Sequence, residues 1–434
     1  MTDRVIPDGW ESTTTTELIR EKALLIGDGY RAKNSEFVDD GGLPFIRVGD
    51  ITNRIRTDVR DELPLSRVEH YEPKVSQTND SLITMKGTVG RVARVSSTTR
   101  RFVYSPQISF WRVRDPLRLD PRFVSYWLRS PAFAEQAIAT KSGTDMADYI
   151  NLRDQRRMSL LLPPLATQQR VATVLSAFDE LIEINQRRID LLEDLARSLY
   201  REWFVRFRFP GHEDATFVDS ALGAIPDGWQ VRRLRDFVST QYGFTASADD
   251  EPVGPRFLRG MDINKRSFVD WSVVPYCKMD EELEAKFKLE VGDVCVIRMA
   301  NPGKVGIVER AVDAVFASYL VRLRSSEPRV PQYLLFHHLD APEYQSWISG
   351  SSTGSTRKSA SAGVLTEPQV VVPSHAFAAL FDSWIGALRG ELTTRVEQSA
   401  ALAATRDLLL PRLVTGRLDI SEIDLGELLP PEPA

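Results

Sequence analysis

The residues best suited to chemistry in this 434-residue chain are few, and none stands in a working constellation. Asn301-Pro-Gly-Lys304 joins a glycine to a lysine, as a phosphate-cradling loop does. No glycine precedes it at the required spacing and no Ser or Thr follows the lysine, so a hairpin turn is expected. Glu284-Ala-Lys286 has the form of the tail of a nuclease carboxylate motif, but no Pro-Asp partner accompanies it. It lies in a charged helical run, so a solvated face is expected. The five histidines (His70, His212, His337, His338, His375) show no metal-ligand spacing. Adjacent His337 and His338 would point about 100° apart on a helix. Neither a Gly-x-Ser-x-Gly elbow nor a Cys/His nucleophile pair occurs. Cys277 and Cys295 are the only cysteines, and they read as buried apolar thiols in a reducing cytoplasm. No catalytic site and no metal site are expected.

The elements around these residues come in two copies. Ile6-Pro-Asp-Gly-Trp10 returns letter for letter as Ile225-Pro-Asp-Gly-Trp229. Arg47-Val-Gly-Asp-Ile51 is answered by Leu258-Arg-Gly-Met-Asp-Ile263, and Met85-Lys-Gly-Thr-Val-Gly-Arg91 by Met299-Ala-Asn-Pro-Gly-Lys-Val-Gly306. Each half closes with an apolar strand ending in proline (Leu160–Pro164, Val370–Pro373) and a long helical stretch. So long a period is that of a duplicated domain with its connector, not of a solenoid. Two similar heads on two similar stalks are suited to holding two similar things a fixed distance apart.

Composition is that of a globular protein, with 42% hydrophobic and 26% charged residues. No apolar run approaches 18 residues and the N-terminus has no apolar signal core, so neither export nor membrane insertion is expected. The net charge of −5 divides unevenly. Residues 1–164 carry 25 Lys+Arg against 22 Asp+Glu, a net +3, and 165–220 carry 7 against 10, a net −3. Residues 221–372 carry 18 against 19, and 373–434 carry 5 against 9. Near-neutral heads with local basic clusters permit DNA contact, and the acidic helical segments suit protein contacts.

The first head predicts a helix over Thr15–Leu25 and strands at Phe45–Val48, Ser81–Met85, Val89–Val95, Phe102–Tyr104 and Ile108–Val113. Helices follow at Pro121–Leu128 and Ala132–Thr140. The second head predicts strands at Asp293–Met299, Val305–Glu309 and Val315–Leu323, then a helix at Pro331–Leu339. Each head reads as α+β with a mainly antiparallel sheet. In the first stalk Val171, Leu175, Phe178, Ile182, Asn185, Ile189, Leu192, Ala196, Leu199 and Trp203 follow alternating steps of 4 and 3, a coiled-coil seam. Asn185 is its one polar member and would fix register. The second stalk begins with Phe377, Phe381, Trp384 and Leu388, slips at Leu392 and Val396, and is expected to stop at Pro411 and Gly416. Antiparallel pairing satisfies both stripes; packing of each stalk on its own head is the other possibility. The boundaries expected are 1–164, 165–210, 211–372, 373–420 and a tail at 421–434.

These landmarks resemble the specificity subunit of type I restriction-modification systems over essentially the whole chain. The two Ile-Pro-Asp-Gly-Trp starts, the Arg47–Ile51 and Arg259–Ile263 motifs, Leu162-Pro-Pro-Leu-Ala-Thr-Gln-Gln-Arg170 and Arg406-Asp-Leu-Leu-Leu-Pro-Arg-Leu-Val-Thr-Gly416 carry the resemblance. It implies two target recognition domains separated by two long antiparallel coiled-coil helices. Each head would read one half of a bipartite site on double-stranded DNA. The helices would set the spacer and dock two methyltransferase subunits, and restriction/translocase subunits would join. This chain would bind no cofactor, with S-adenosylmethionine, ATP and Mg on partner subunits. One departure is Gln168, which stands where the family has an acidic residue before the glutamine at the start of the first helix. Ser374-His-Ala-Phe377 departs further.

DNA reading uses Arg and Lys on phosphates and Arg, Asn, Gln, Ser or Thr on base edges. The first head offers Lys86, Arg91, Arg100, Arg101, Gln107, Lys141, Ser142, Thr144 and Asp145. The second offers Arg298, Asn301, Lys304, Ser352, Thr353, Ser355, Arg357 and Lys358. Trp10 and Trp229 read as core anchors. A recognition subunit whose partner fuses cleavage and methylation would look nearly the same. A two-headed protein-interaction scaffold is the alternative of another class, and salt-dependent binding to duplex DNA discriminates it.

Overall fold

The structure is a computed structural model in which residues 6–52, 54–139, 150–264, 266–352 and 358–420 are described. The chain divides into two compact units, Met1–Leu181 with Leu402–Ala434, and Ile182–Ala401. Each contains one α+β head and a stretch of each of two long helices.

The duplication holds strand by strand. The main sheet of the first head is antiparallel in the order Leu24–Asp28, Ile108–Val113, Ser81–Thr84, Val92–Arg94. That of the second runs Val238–Tyr242, Leu320–Ser325, Val294–Ile297, Val305–Ile307. A parallel pair follows in each, Gly42–Ile46 with Val103–Tyr104 and Arg256–Leu258 with Ala314–Phe316. Each head is closed by an antiparallel pair, Glu11–Thr14 with Ser159–Leu162 and Gln230–Arg233 with Gln369–Val372. Among the described residues the first head adds Glu62–Pro64 at an edge of Gly42–Ile46, and the second is preceded by an antiparallel pair of its own, Phe217–Ser220 with Gly223–Pro226.

Equivalent side chains brace the two sheets. Asp80 accepts the Gln77 N–H (2.7 Å) and Arg112 Nε and Nη2 (2.7 and 2.8 Å). Asp293 likewise accepts the Glu290 N–H (2.8 Å) and Arg324 Nη2 (2.9 Å). Both aspartates are buried, so each charge is matched by an arginine rather than left alone in the sheet.

Several expected elements differ. The strand expected at Phe45–Val48 is Gly42–Ile46 with a helical turn at Val48–Asp50, and that expected at Val89–Val95 is only Val92–Arg94. The first helix covers only Thr15–Arg20, because Lys22 adopts φ 62° and turns the chain into Leu24–Asp28. The expected strand Val315–Leu323 is two strands broken at 317–319, and its halves enter different sheets.

The first long helix is Leu165–Tyr200, about 54 Å at ~1.5 Å per residue, and it ends in a wider turn at Arg201–Val205. The second is His375–Val414. Pro411 does not stop it. Proline lacks an N–H, but in the last turn one forfeited bond is tolerable, and the chain leaves the helix at Gly416, with φ 69°. In the first unit, Val171, Ala172 and Leu175 of one helix and Leu410, Leu413 and Val414 of the other enter the core of Leu18, Trp111 and Trp127. In the second, Ala196, Tyr200 and Trp203 join Phe381 and Ile385 in the core of Leu334 and Leu335. Ile189 meets Leu392 and Val396 there, so the helices run antiparallel. Pairing and packing on the heads therefore coexist.

Polar ties lock helix to head. Asp179 accepts the Tyr126 hydroxyl (2.7 Å), Arg129 (3.0 Å) and Arg406 (2.5 Å). In the second unit buried Arg389 forks onto Glu309 at 2.6 and 2.9 Å. Among the described residues no helix is long and apolar enough to cross a membrane.

Candidate nucleic-acid interface

The duplicated Arg-x-x-Asp motif closes a short turn in each head. The aspartate carboxylate accepts the arginine's backbone N–H, Arg47 to Asp50 at 2.9 Å and Arg259 to Asp262 at 2.8 Å. Their guanidiniums are also engaged, Arg47 by Asp61 (2.7 Å) and Arg259 by Asp262 (3.0 Å). The motif thus holds shape.

Beside it stands a hairpin joining two strands of the main sheet. In the first head Gly87 and Gly90 take φ 85° and 86°, and Gly90 N–H closes on Thr84 O at 2.9 Å. In the second, Ala300 and Gly303 take φ 68° and 97° at matching places, and Gly303 N–H closes on Ile297 O at 2.9 Å. The residue that enters each hairpin is wired alike. Met85 N–H donates to Gln107 O (2.8 Å) and its carbonyl accepts Ile150 N–H (3.2 Å). Arg298 N–H donates to Tyr319 O (2.9 Å) and its carbonyl accepts Ala360 N–H (2.8 Å). Hairpin, following turn and the segment leading to the closing strand are thereby gathered at one place in each head.

The residues singled out from sequence divide into groups. Lys86 and Gln107 are exposed at the first hairpin and its neighbouring turn. Arg91 is held there by Ile51 O at 3.0 Å. Arg100 and Arg101 lie at the other end of strand Val92–Arg94 and are paired, with Glu62 (2.8 Å) and Glu72 (3.0 Å). In the second head Arg298 lies over the Tyr242 ring, 4.9 Å from its centre, and Asn301 donates to Asn264 Oδ1 (2.5 Å). Lys304 and Lys358 are exposed, and Lys358 O accepts Ala300 N–H (2.9 Å), which brings it to the hairpin. Ser352 follows helix Pro342–Ser351, whose Gln345 donates to Gly303 O at 2.8 Å. Lys141, Ser142, Thr144, Asp145, Thr353, Ser355 and Arg357 lie outside the described residues. Sequence reasoning passed over Tyr242, Asn264 and Gln345; only their contacts in three dimensions mark them.

Trp229 is buried against Phe209 and Phe377. Trp10 is half-buried against Gly416, where a Cβ would come within 3.1 Å of its ring. Buried Gln168 accepts Asp120 N–H (2.9 Å) and donates to Arg118 O (3.2 Å) and Pro163 O (3.0 Å). A carboxylate could not make both donations.

On the helices, Val171, Leu175, Asn185, Ile189, Ala196 and Trp203 are buried, and Phe178, Ile182, Leu192 and Leu199 are half-buried. The buried stripe of the second helix is Ala378, Phe381, Ile385, Arg389, Leu392 and Val396. Phe377 and Leu388 flank it half-buried, and Trp384 is 46% exposed. Trp384, Leu388, Leu195 and Leu199 line an apolar groove of about 430 Å³ in the second unit, and Ile184 and Leu191 are also exposed.

Residues 7–194 match the type I restriction modification DNA specificity domain. The chain is 26% identical over 277 residues to the specificity subunit of the type I restriction enzyme MjaIX of Methanocaldococcus jannaschii. That match spans 62% of each chain, so just under two thirds of that relative. It is 23% identical over 367 residues to the EcoBI specificity subunit of Escherichia coli, covering 80% of this chain and 74% of that one. The crystal structure of the S subunit of a type I restriction-modification system from M. genitalium has the same fold, with a TM-score of 0.55 at 15% identity, over 97% of this chain and 100% of that one.

Proposed function

Because this chain belongs to the specificity subunits of type I restriction-modification systems, we propose that it is the non-catalytic DNA-reading member of such a complex. Each head reads one half of a bipartite site. The paired helices set the spacer and dock two methyltransferase subunits, which restriction/translocase subunits join; S-adenosylmethionine, ATP and Mg are bound by those partners. One observation carries the reading. The two hairpins are built on the same backbone wiring but end in different polar residues, Lys86 and Arg91 against Asn301 and Lys304. A common frame with different tips suits two different half-sites. The apolar groove at Trp384 and Leu195 supports a partner helix on the long helices.

The test replaces residues 86–91 with the second head's 299–304 in the assembly with methyltransferase subunits, then maps methylated bases. One half-site should change and the other stay. If affinity and both half-sites are untouched, the hairpin is not the reading element. Methyl transfer by this chain free of partner protein would overturn its non-catalytic role.

A further inference from the structure

We propose that Arg54 and Arg266 are equivalent clamps on DNA phosphates, one in each head; this rests on the DNA-reading role proposed above. They stand seven residues after Arg47 and Arg259, at the same place in the duplication. Both are exposed, and among the described residues neither has a carboxylate partner. Their neighbours do: Arg47 pairs with Asp61, Arg56 with Asp50 (2.7 Å each) and Arg259 with Asp262.

Each sits on a loop fixed at both ends. In the first head, Thr52 N–H donates to Arg54 O (3.0 Å) and Arg56 N–H to Asp50 O (2.9 Å), so Arg54 is carried on a tight turn. In the second, Phe268 is buried among Ile189, Leu392 and Val396, and Ser267 receives Arg389 at 2.8 and 3.0 Å. Arg266 lies 5.2 Å from the Phe268 ring centre. Each loop is also bonded to the hairpin beside it, through Ile51 O to Arg91 in one head and Asn264 to Asn301 in the other.

The hairpin tips differ between the heads and the arginine does not. A feature common to two readers of different sequences matches what any two sequences share, the phosphate backbone. A guanidinium free of carboxylates retains its fork of donors for phosphate oxygens.

The experiment measures binding of the assembled complex to its methylation site and to unrelated duplex at several salt concentrations. Arg54→Gln or Arg266→Gln should each weaken both and flatten the slope of log K against log salt by about 0.9, and the double variant by about twice that. The methylated sequence should not change. Arg235→Ala, which removes an arginine already paired with Glu367 (2.6 Å), should leave the slope alone. An unchanged slope in both single variants overturns the clamp, as does relaxed preference at one base pair, which would make the arginine a base reader. If the unsubstituted complex shows no salt-dependent binding to duplex, the DNA-reading role itself fails.

Discussion

At the scale of residues, the second unit contains an adjacent pair of histidines that burial holds in the neutral form. His337 and His338 lie in helix Gln332–Asp340, both buried. His337 stacks on Tyr200 at 5.8 Å, and His338 Nδ1 is 2.8 Å from the Tyr200 hydroxyl. Burial pushes the His338 imidazole down to about 3 and that of His337 well below its usual range, the latter with help from Arg389 and Arg197. In the unfolded chain both take a proton near pH 6.5. Their neutral burial is therefore fully tolerated above that pH. As pH falls from about 6.5 toward 3, stability is lost at about 1.4 kcal/mol per pH unit through His338, and His337 acts in the same direction. His338→Gln should remove one such increment from the pH dependence of the denaturant midpoint between pH 6 and 4. An identical slope in the variant would show that His338 is already protonated in the fold.

At the scale of elements, legibility followed how much of the conformation is local. The hairpins at 85–91 and 299–306 could be read because Gly, Asn and Pro mark such turns wherever they occur. The left-handed Ala300 could not: an L-residue is placed there by the frame of two strands and by Lys358 O, which it contacts from far along the chain. Arg389 was equally hidden. It occupies a position on the second helix that looks like an exposed arginine, and only the fold brings Glu309 and Ser267 to it. Its burial gives a prediction. Arg389→Met should cost the second unit about 3–5 kcal/mol by stranding the Glu309 carboxylate, and adding Glu309→Leu should recover most of that. Urea unfolding of both variants decides it. A double variant as unstable as the single would place the loss in Arg389's bonds to Ser267.

At the scale of the whole molecule, the duplication was legible because the order of landmarks survives even where letters do not. The division of labour along the helices was not. A coiled-coil seam and a stripe facing a head both place apolar residues at steps of 3 and 4, so Leu175 and Ile189 read alike although one enters a head core and the other meets only helix and loop. That distinction decides where a proposed ruler can be lengthened. Near Pro210 the helix has already ended, and Trp203, Phe204 and Phe209 belong to the core of the second head. An insertion there would disturb a head. Seven residues placed between Leu181 and Ile182, with seven more between Ala401 and Leu402, fall at the boundaries of the two units and keep the seam in phase. They add about 10.5 Å at ~1.5 Å per residue, against about 3.4 Å per base pair. If the helices set the spacing, the methylated site of such a variant should keep both half-sites and gain about three base pairs between them. Duplex twist, one turn in about 10.5 base pairs, also rotates one half-site against the other, so the yield of modification should fall. Genome-wide methylation mapping reads both quantities together. An active variant with its original spacer, or with altered half-sites, would take the ruler away from the helices.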